Sequence, residues 1–418
     1  MTDLSSYAPQ LDRIKDLSGG MEPYLVGGAV RDALRGKTSK DTDVMVVGSE
    51  KHISDLQNRG WVSTGKSFPV FKHPEMPDVD LAFARGETKT GTGHNAFSYH
   101  LANSVEEDLK RRDFTFNAMA WNPSHGLVDP HGGQRDLSNG VVRHVSDAFK
   151  EDPLRVFRAA RFAAKFDFRV DPVTSLLMGA MLTELNTLSK DRVREEFLKA
   201  LESDHPSKFF ISLSDADVLR PWFHVLADLQ HVPAGKATHH PEGDTFSHTM
   251  FALQYCADKK LSTPTRILAL CHDFGKLETE PSKWPAHHGH ETRTGAADAM
   301  LDNLGFSESL RRKTASHIRH HLLPNHPRLK PSTVVRYWKA VRRFRDEHFG
   351  AYLADVNGHG AKEYKESPRV DQLKAVFNAL DNVEIPSGTN VDKITQKFVL
   401  AASVFMAKMP SVESNWKK

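Results

Sequence analysis

Residues 24–47 constrain this chain more than any other stretch. Tyr24-Leu25-Val26 reads as a short buried strand, and Gly27-Gly28 lets the backbone turn sharply and approach a ligand closely. Ala29 to Arg35 reads as a helix start, whose free N–H groups and positive dipole end suit a phosphate chain. Asp41 and Asp43 then lead into the apolar strand Val44-Met45-Val46-Val47. Side chains at i and i+2 of a strand share a face, so these two carboxylates would stand together beside the phosphate cradle. A Mg²⁺-dependent phosphoryl or nucleotidyl transfer needs that arrangement. A Gly-Gly pair alone is an ordinary turn, and an Asp-x-Asp alone is an ordinary loop end. Their order, with Arg31 in the first helical turn, carries the signal. The Gly-Lys-Ser/Thr ending of a Walker P-loop is missing.

Composition sets the outer bounds. At 418 residues the chain is long enough for two to four domains. With 39% hydrophobic and 26% charged residues it fits a globular protein. A net charge of only +3 means that a nucleic-acid partner would have to be met by local basic patches. The first residues lack the apolar core of a signal peptide, and no apolar run is long enough to span a membrane. Cys256 and Cys271 lack metal-type spacing and read as free buried thiols, which points to the cytoplasm. Eleven of the 23 histidines fall between His239 and His326.

Four segments follow from the pattern. Residues 1–145 alternate strands, turns and helices after a polar lead-in of about 22 residues. Within them Arg85 to Phe97, rich in Gly and Thr, reads as a mobile loop. Residues 146–231 are almost wholly helical, with a 3.6-residue period in Leu154 to Phe166. Residues 232–350 hold the histidine cluster among helices, and residues 351–418 read as a polar helical tail.

More chemistry sits along the first two segments. Arg111-Arg112-Asp113 brings guanidinium groups that can each grip two phosphate oxygens. Asp80, in a strand-like run, is a candidate third carboxylate. Asp152, Arg155, Arg158 and Arg161 recur every three residues and form one ridge on a helix. A carboxylate can accept from the exocyclic amine of cytosine or adenine, and a guanidinium can donate to the neighbouring ring nitrogen. Asp152 with Arg155 could therefore admit C and A while rejecting G and U. Asp152 before Pro153 also reads simply as a helix cap.

Five ordered motifs over residues 25–196 carry a resemblance. They are the Gly27-Gly28/Asp41-x-Asp43 unit, Arg111-Arg112-Asp113-Phe114-Thr115, Asp129 to Leu137, Glu151 to Arg161, and Ser189 to Glu196. Together they resemble the tRNA CCA-adding and poly(A) polymerase branch of the nucleotidyltransferases, in its bacterial CCA-adding class. The resemblance implies a polymerase-beta-like α/β head, an all-α neck, an HD-type helical body and a helical tail. It implies Mg²⁺ on Asp41 and Asp43, activating the tRNA 3′-hydroxyl and stabilising the departing pyrophosphate. It places the incoming CTP or ATP against Gly28, Arg31, Arg112, Asp152, Arg155, Arg158 and Arg161, with Asp113 and Asn117 at the sugar region or bracing the site. It makes tRNA the partner and the 85–97 loop a mark of complete CCA addition. A poly(A) polymerase of the same fold, and a tRNA-binding hydrolase with an inactive head, are the rivals. A monomer or homodimer fits equally well.

The third segment carries a second resemblance. His248, ahead of His272-Asp273 and Gly275-Lys276, resembles the HD phosphohydrolase superfamily, where such residues bind divalent metal and activate water. The long multifunctional CCA proteins carry such a domain, which implies phosphatase, 2′-nucleotidase or 2′,3′-cyclic phosphodiesterase activity. The distant Asp of that pattern is not found in Ser316 to His326, where His321 takes its place. An imidazole there would favour a transition metal such as Ni²⁺. Pro327 to Arg345 holds seven Lys/Arg and no acid, with Tyr337 and Trp338 among them. It reads as a track for RNA or as a solvated helix face.

Overall fold

The computed structural model describes residues 3–39, 42–64, 69–89, 97–326, 328–360, 363–386 and 390–408. Asp41 lies outside the described residues. The chain divides into two compact units, residues 1–188 with 215–218, and residues 189–214 with 219–418.

The first unit is built on a mixed sheet. Its strands are β1 (Pro23–Val26), β2 (Thr42–Val46), β3 (Val62–Thr64), β4 (Val70–His73) and β5 (Met76–Phe83), then β8 (Ala120–Asn122) and β9 (Gly126–Val128). Their order is β3-β4-β5-β2-β1-β8-β9. β2 and β5 run parallel and the other pairs antiparallel. β6 (Arg85–Lys89) and β7 (Phe97–Leu101) pair with each other, and residues 90–96 of the expected loop lie outside the described residues. The polar lead-in forms the amphipathic helix Ala8–Leu17, with Leu11 and Ile14 buried. The helix Leu154–Phe166 buries Val156, Phe157, Ala159, Ala160, Phe162, Ala163 and Ala164, which is why its 3.6-residue period was readable. Phe114, Phe116, Phe149, Phe162, Phe166 and Phe168 form its aromatic core.

The second unit is helical. The helices Thr245–Asp258 and Thr263–Cys271 pack on each other and on Arg345–Val356, and Glu308–His320 packs on Thr263–Cys271. This arrangement brings the ends of four helices together, the first two neighbours in sequence and the other two distant. The expected boundary at 350 falls inside the helix Arg345–Val356. Tyr337 and Trp338 are 0% and 2% exposed, so neither aromatic is available to the RNA track read from Pro327 to Arg345. They belong to the core with Val334, Val341, Phe349 and Phe377. Both cysteines are free and buried, and burial pushes the Cys256 thiol up to about 12. No helix among the described residues is long and apolar enough to cross a membrane.

Candidate active sites

The first site is a cavity of about 300 Å³ in the first unit, with Asp43 and Asp80 on its floor and Arg85, Asp108, Arg111 and Arg112 in its wall. Asp43 pairs in register with Asp80 across the parallel β2–β5 ladder, so the two carboxylates share a sheet face. Lys72 Nζ lies 2.9 Å from Asp80 Oδ1. Asp108 is 1% exposed and accepts from Arg111 Nη2 at 2.8 Å, Arg112 Nε at 2.9 Å and the Arg85 amide at 3.2 Å. Burial opposes its charge, but Arg112 and Arg111 outweigh it and hold the carboxyl below its usual range. One buried acid thus aims two guanidinium groups at the cavity.

Gly27 explains why the turn must be glycine. Its φ is +62°, and a Cβ there would lie 2.7 Å from Arg112 Nη1. The turn therefore abuts the arginine, and the helix Gly28–Leu34 follows directly. Arg31 is 6% exposed, held by Asp32 at 2.9 and 2.8 Å and by Asn117 Oδ1 at 2.6 Å. Asn117 Nδ2 donates to Asp113 Oδ1 at 3.0 Å, and Arg158 grips Asp113 Oδ2. Arg155 donates to the carbonyls of Ala148 at 2.6 Å and Arg111 at 3.0 Å. Asp152 Oδ1 accepts from the Leu154 amide at 3.1 Å, as a helix cap does. Arg161 is 8% exposed and lies over the Phe162 ring at 4.1 Å. The structure therefore brings Arg31, Asp113, Asn117 and Arg158 into one network, and sets Asp43 and Arg112 in one cavity.

The second site lies in the second unit. His248 Nε2 stands 3.2 Å from Asp355 Oδ1 and 3.9 Å from Asp273 Oδ2. His272 Nε2 stands 3.2 Å from Asp273 Oδ2 and 3.6 Å from Asp355 Oδ1, yet it is buried without a hydrogen-bond partner. Asp355, which sequence reading did not single out, supplies a carboxylate beside His248 and His272, the place where His321 was expected. It lies on the helix Arg345–Val356, beyond the stretch in which it was sought, and reaches the site because that helix packs against both histidine-bearing helices. His321 instead joins His290 around the other oxygen of Asp273. Their Nε2 atoms are 3.8 and 3.2 Å from Asp273 Oδ1 and 3.3 Å from each other. His290 was not among the residues singled out as ligands from sequence. Its HHGHE context is the signal that could have found it.

The tautomers follow from the backbone. The Nδ1 atoms of His272, His290 and His321 lie 2.7, 2.8 and 2.7 Å from the carbonyls of Ala269, His287 and Ile318. A carbonyl only accepts, so each Nδ1 carries the proton and each Nε2 faces the acids. Orientation by a second partner of this kind is typical of metal-binding histidines. Among the described residues the candidate donors fall into three sets: His248/His272/Asp273/Asp355 and Asp273/His290/His321, which share Asp273, and His240/Glu242/His248/His359, which shares His248 with the first. The unpartnered His272 Nε2 and the mixed imidazole and carboxylate chemistry fit a divalent transition metal. The adjoining cavity, of about 460 Å³, is walled by His240, Lys276, His287, His326 and His359.

A mixed-sheet nucleotidyltransferase head followed by a helical remainder is the class that these features define. The poly A polymerase head domain model matches residues 23–143, and the model for the probable RNA- and SrmB-binding site of polymerase A matches residues 167–229. A CCA-adding enzyme of Thermotoga maritima, solved in complex with tRNA, shares the fold with a TM-score of 0.63 at 21% identity, over 98% of this chain and 96% of that one. The chain belongs to the multifunctional CCA protein family. It is 40% identical to the member from Nitrosococcus oceani, over 86% of this chain and 90% of the relative. It is 39% identical to the one from Chromobacterium violaceum, over 95% and 100%.

Proposed function

We propose that the protein adds the sequence CCA to tRNA 3′ ends from CTP and ATP without a template. The observation that carries this is the register pairing of Asp43 with Asp80 beside Arg111 and Arg112 in one cavity. Family membership agrees with it. Asp43, with Asp41 and Asp80, would hold Mg²⁺, which when bound lowers the pKa of the attacking hydroxyl and offsets charge on the leaving pyrophosphate. Arg112 is fixed by Asp108 and Gly27, and so is positioned to bind triphosphate oxygens without reorganising. Arg158 and Arg161 complete the anion grip, and Asp152 with Arg155 reads the base. Arg155 would exchange its carbonyl partners for the base edge.

The second site would act as a metal-dependent phosphohydrolase on phosphate esters of tRNA ends. His248, His272, Asp273 and Asp355 would hold one ion, Ni²⁺ among the suitable metals, with His290 and His321 completing a second set of donors around Asp273. Such an ion supplies a hydroxide at neutral pH. Lys276, whose Nζ lies 2.6 Å from Asp273 Oδ2 and donates to the Ala234 carbonyl at 2.7 Å, steadies the shared acid. Lys276 and the histidines of the cavity wall offer hydrogen-bond donors to an anionic substrate.

One assay separates the readings. The protein is incubated with tRNA lacking its 3′ end and labelled CTP and ATP. Addition of C, C and A that then stops supports the proposal. A long A tail would favour the poly(A) polymerase, and no addition would leave only the hydrolase.

A further inference from the structure

Glu242 lies outside both donor sets around Asp273, yet one of its oxygens is shared by three histidines. Its side chain is 0% exposed. One oxygen, Oε1, lies 2.8 Å from His248 Nδ1, 2.9 Å from His240 Nδ1 and 3.3 Å from His359 Nδ1. The three rings stand 5.1 to 5.4 Å apart around it. A carboxylate only accepts, so each Nδ1 donates and each ring is left with Nε2 for another partner. Gly358 makes the arrangement possible. A Cβ there would lie 2.6 Å from His248 Cε1, so only glycine lets the chain fold over that ring and bring His359 onto Glu242.

Resting on the reading of the second site as a metal centre, we propose that Glu242 is its positioning residue, fixing the ligating nitrogen of His248 and holding His240 and His359 in the cavity wall. Without it, His248 can rotate its ring or move its proton to Nε2. Either change removes a ligand that faces Asp355 and Asp273. His240 and His359 line the cavity beside Asp273 and Asp355. Glu242 therefore links the ion's ligand set to the wall that meets the substrate. Loss of a partner of this kind typically weakens metal binding about 10- to 100-fold.

The test uses the full chain and Co²⁺ alone as the probe. Equilibrium dialysis gives the affinity, and the visible absorption of bound Co²⁺ reports its ligand field. Glu242→Ala is expected to weaken binding by about 10- to 100-fold and to change the spectrum. Glu242→Gln keeps the shape and one amide acceptor, and is expected to lose about tenfold even if the alanine variant fails to fold. His239→Ala, at an exposed histidine outside every donor set, should keep wild-type affinity and spectrum. Wild-type Co²⁺ binding in Glu242→Gln overturns the proposal alone. An equal loss in His239→Ala overturns it too, because the effect would then not be specific to Glu242. A wild-type protein that binds no Co²⁺ in this unit overturns the metal-centre reading and the proposal with it.

Discussion

Arg158 lays two nitrogens on one oxygen of Asp113, Nε at 2.9 Å and Nη2 at 2.6 Å. The other oxygen accepts from the Phe114 amide and from Asn117, which in turn accepts from Arg31. The neck helix and the glycine turn are thus tied together through one buried acid. Arg158 reaches the head as part of a preset lattice of charge.

Replacing Asp113 with Asn should break that lattice. The new amide would face either Arg158 or the Phe114 and Asn117 donors with hydrogens, and the charge pair with Arg158 would be lost. Breaking a buried pair costs about 3–5 kcal/mol, and Arg158 is one-third exposed, so about 3 kcal/mol is expected. Burial opposes the Asp113 charge, but Arg158 and Asn117 outweigh it and hold the carboxyl below its usual range. A depressed acid stabilises the fold above its unfolded pKa, near 4, and loses that contribution as pH falls through the folded value. Urea unfolding should therefore show a gap between variant and wild type at pH 7 that narrows below about pH 4.

Asp43 is exposed at a strand position, so Asp43→Ala should change stability by no more than about 0.5 kcal/mol. It should abolish CTP and ATP addition and leave phosphate-ester hydrolysis at wild-type rate. Asp355→Ala should do the reverse. Parallel assays of both activities on both variants check this, and a variant that loses both would argue against two separate sites.

Much of the head was legible because its signals are local. The turn at Gly27-Gly28, the Asp152 cap and the period of Leu154 to Phe166 each lie within a few residues of chain. What was hidden is tertiary. The pairing of Asp43 with Asp80 is a matter of strand register, and Asp355 reaches the histidines only through helix packing. The arginines read as nucleotide contacts also have acids and carbonyls holding them in place, which a motif does not state. Tyr337 and Trp338 looked available beside basic residues, but the apolar face of an amphipathic helix carries them inward.

The second site should release a proton when it takes a metal. Burial opposes charge on His272, but Asp273 and Asp355 outweigh it and push its pKa up to about 10. The imidazolium then stands where a cation belongs, and an ion must displace its proton. Burial pushes His321 down to about 4, so it releases none at pH 7. Apparent affinity should rise about tenfold per pH unit above neutrality and flatten near pH 10. In the ion-free protein the sign is opposite. A raised pKa stabilises the fold fully below the unfolded value near 6.5, and that contribution fades as pH rises towards 10. Titration calorimetry in buffers of different ionisation enthalpy counts the protons, and a count of zero would contradict the charged His272.

Gly27→Ala tests the turn most directly. A side chain at φ +62° with ψ −121° costs on the order of 1–3 kcal/mol in strain. The added Cβ would also push Arg112 Nη1 from a position 2.7 Å away. Arg112 could yield only by leaving Asp108, its partner at 2.9 Å. The stability loss should therefore come with a rise in KM for CTP and ATP of about tenfold or more, since a misplaced guanidinium no longer meets the triphosphate. Hydrolysis at the second site should stay unchanged. Steady-state kinetics with both nucleotides decides the matter. A stability loss with unchanged KM would mean that the turn shapes the fold without placing the arginine.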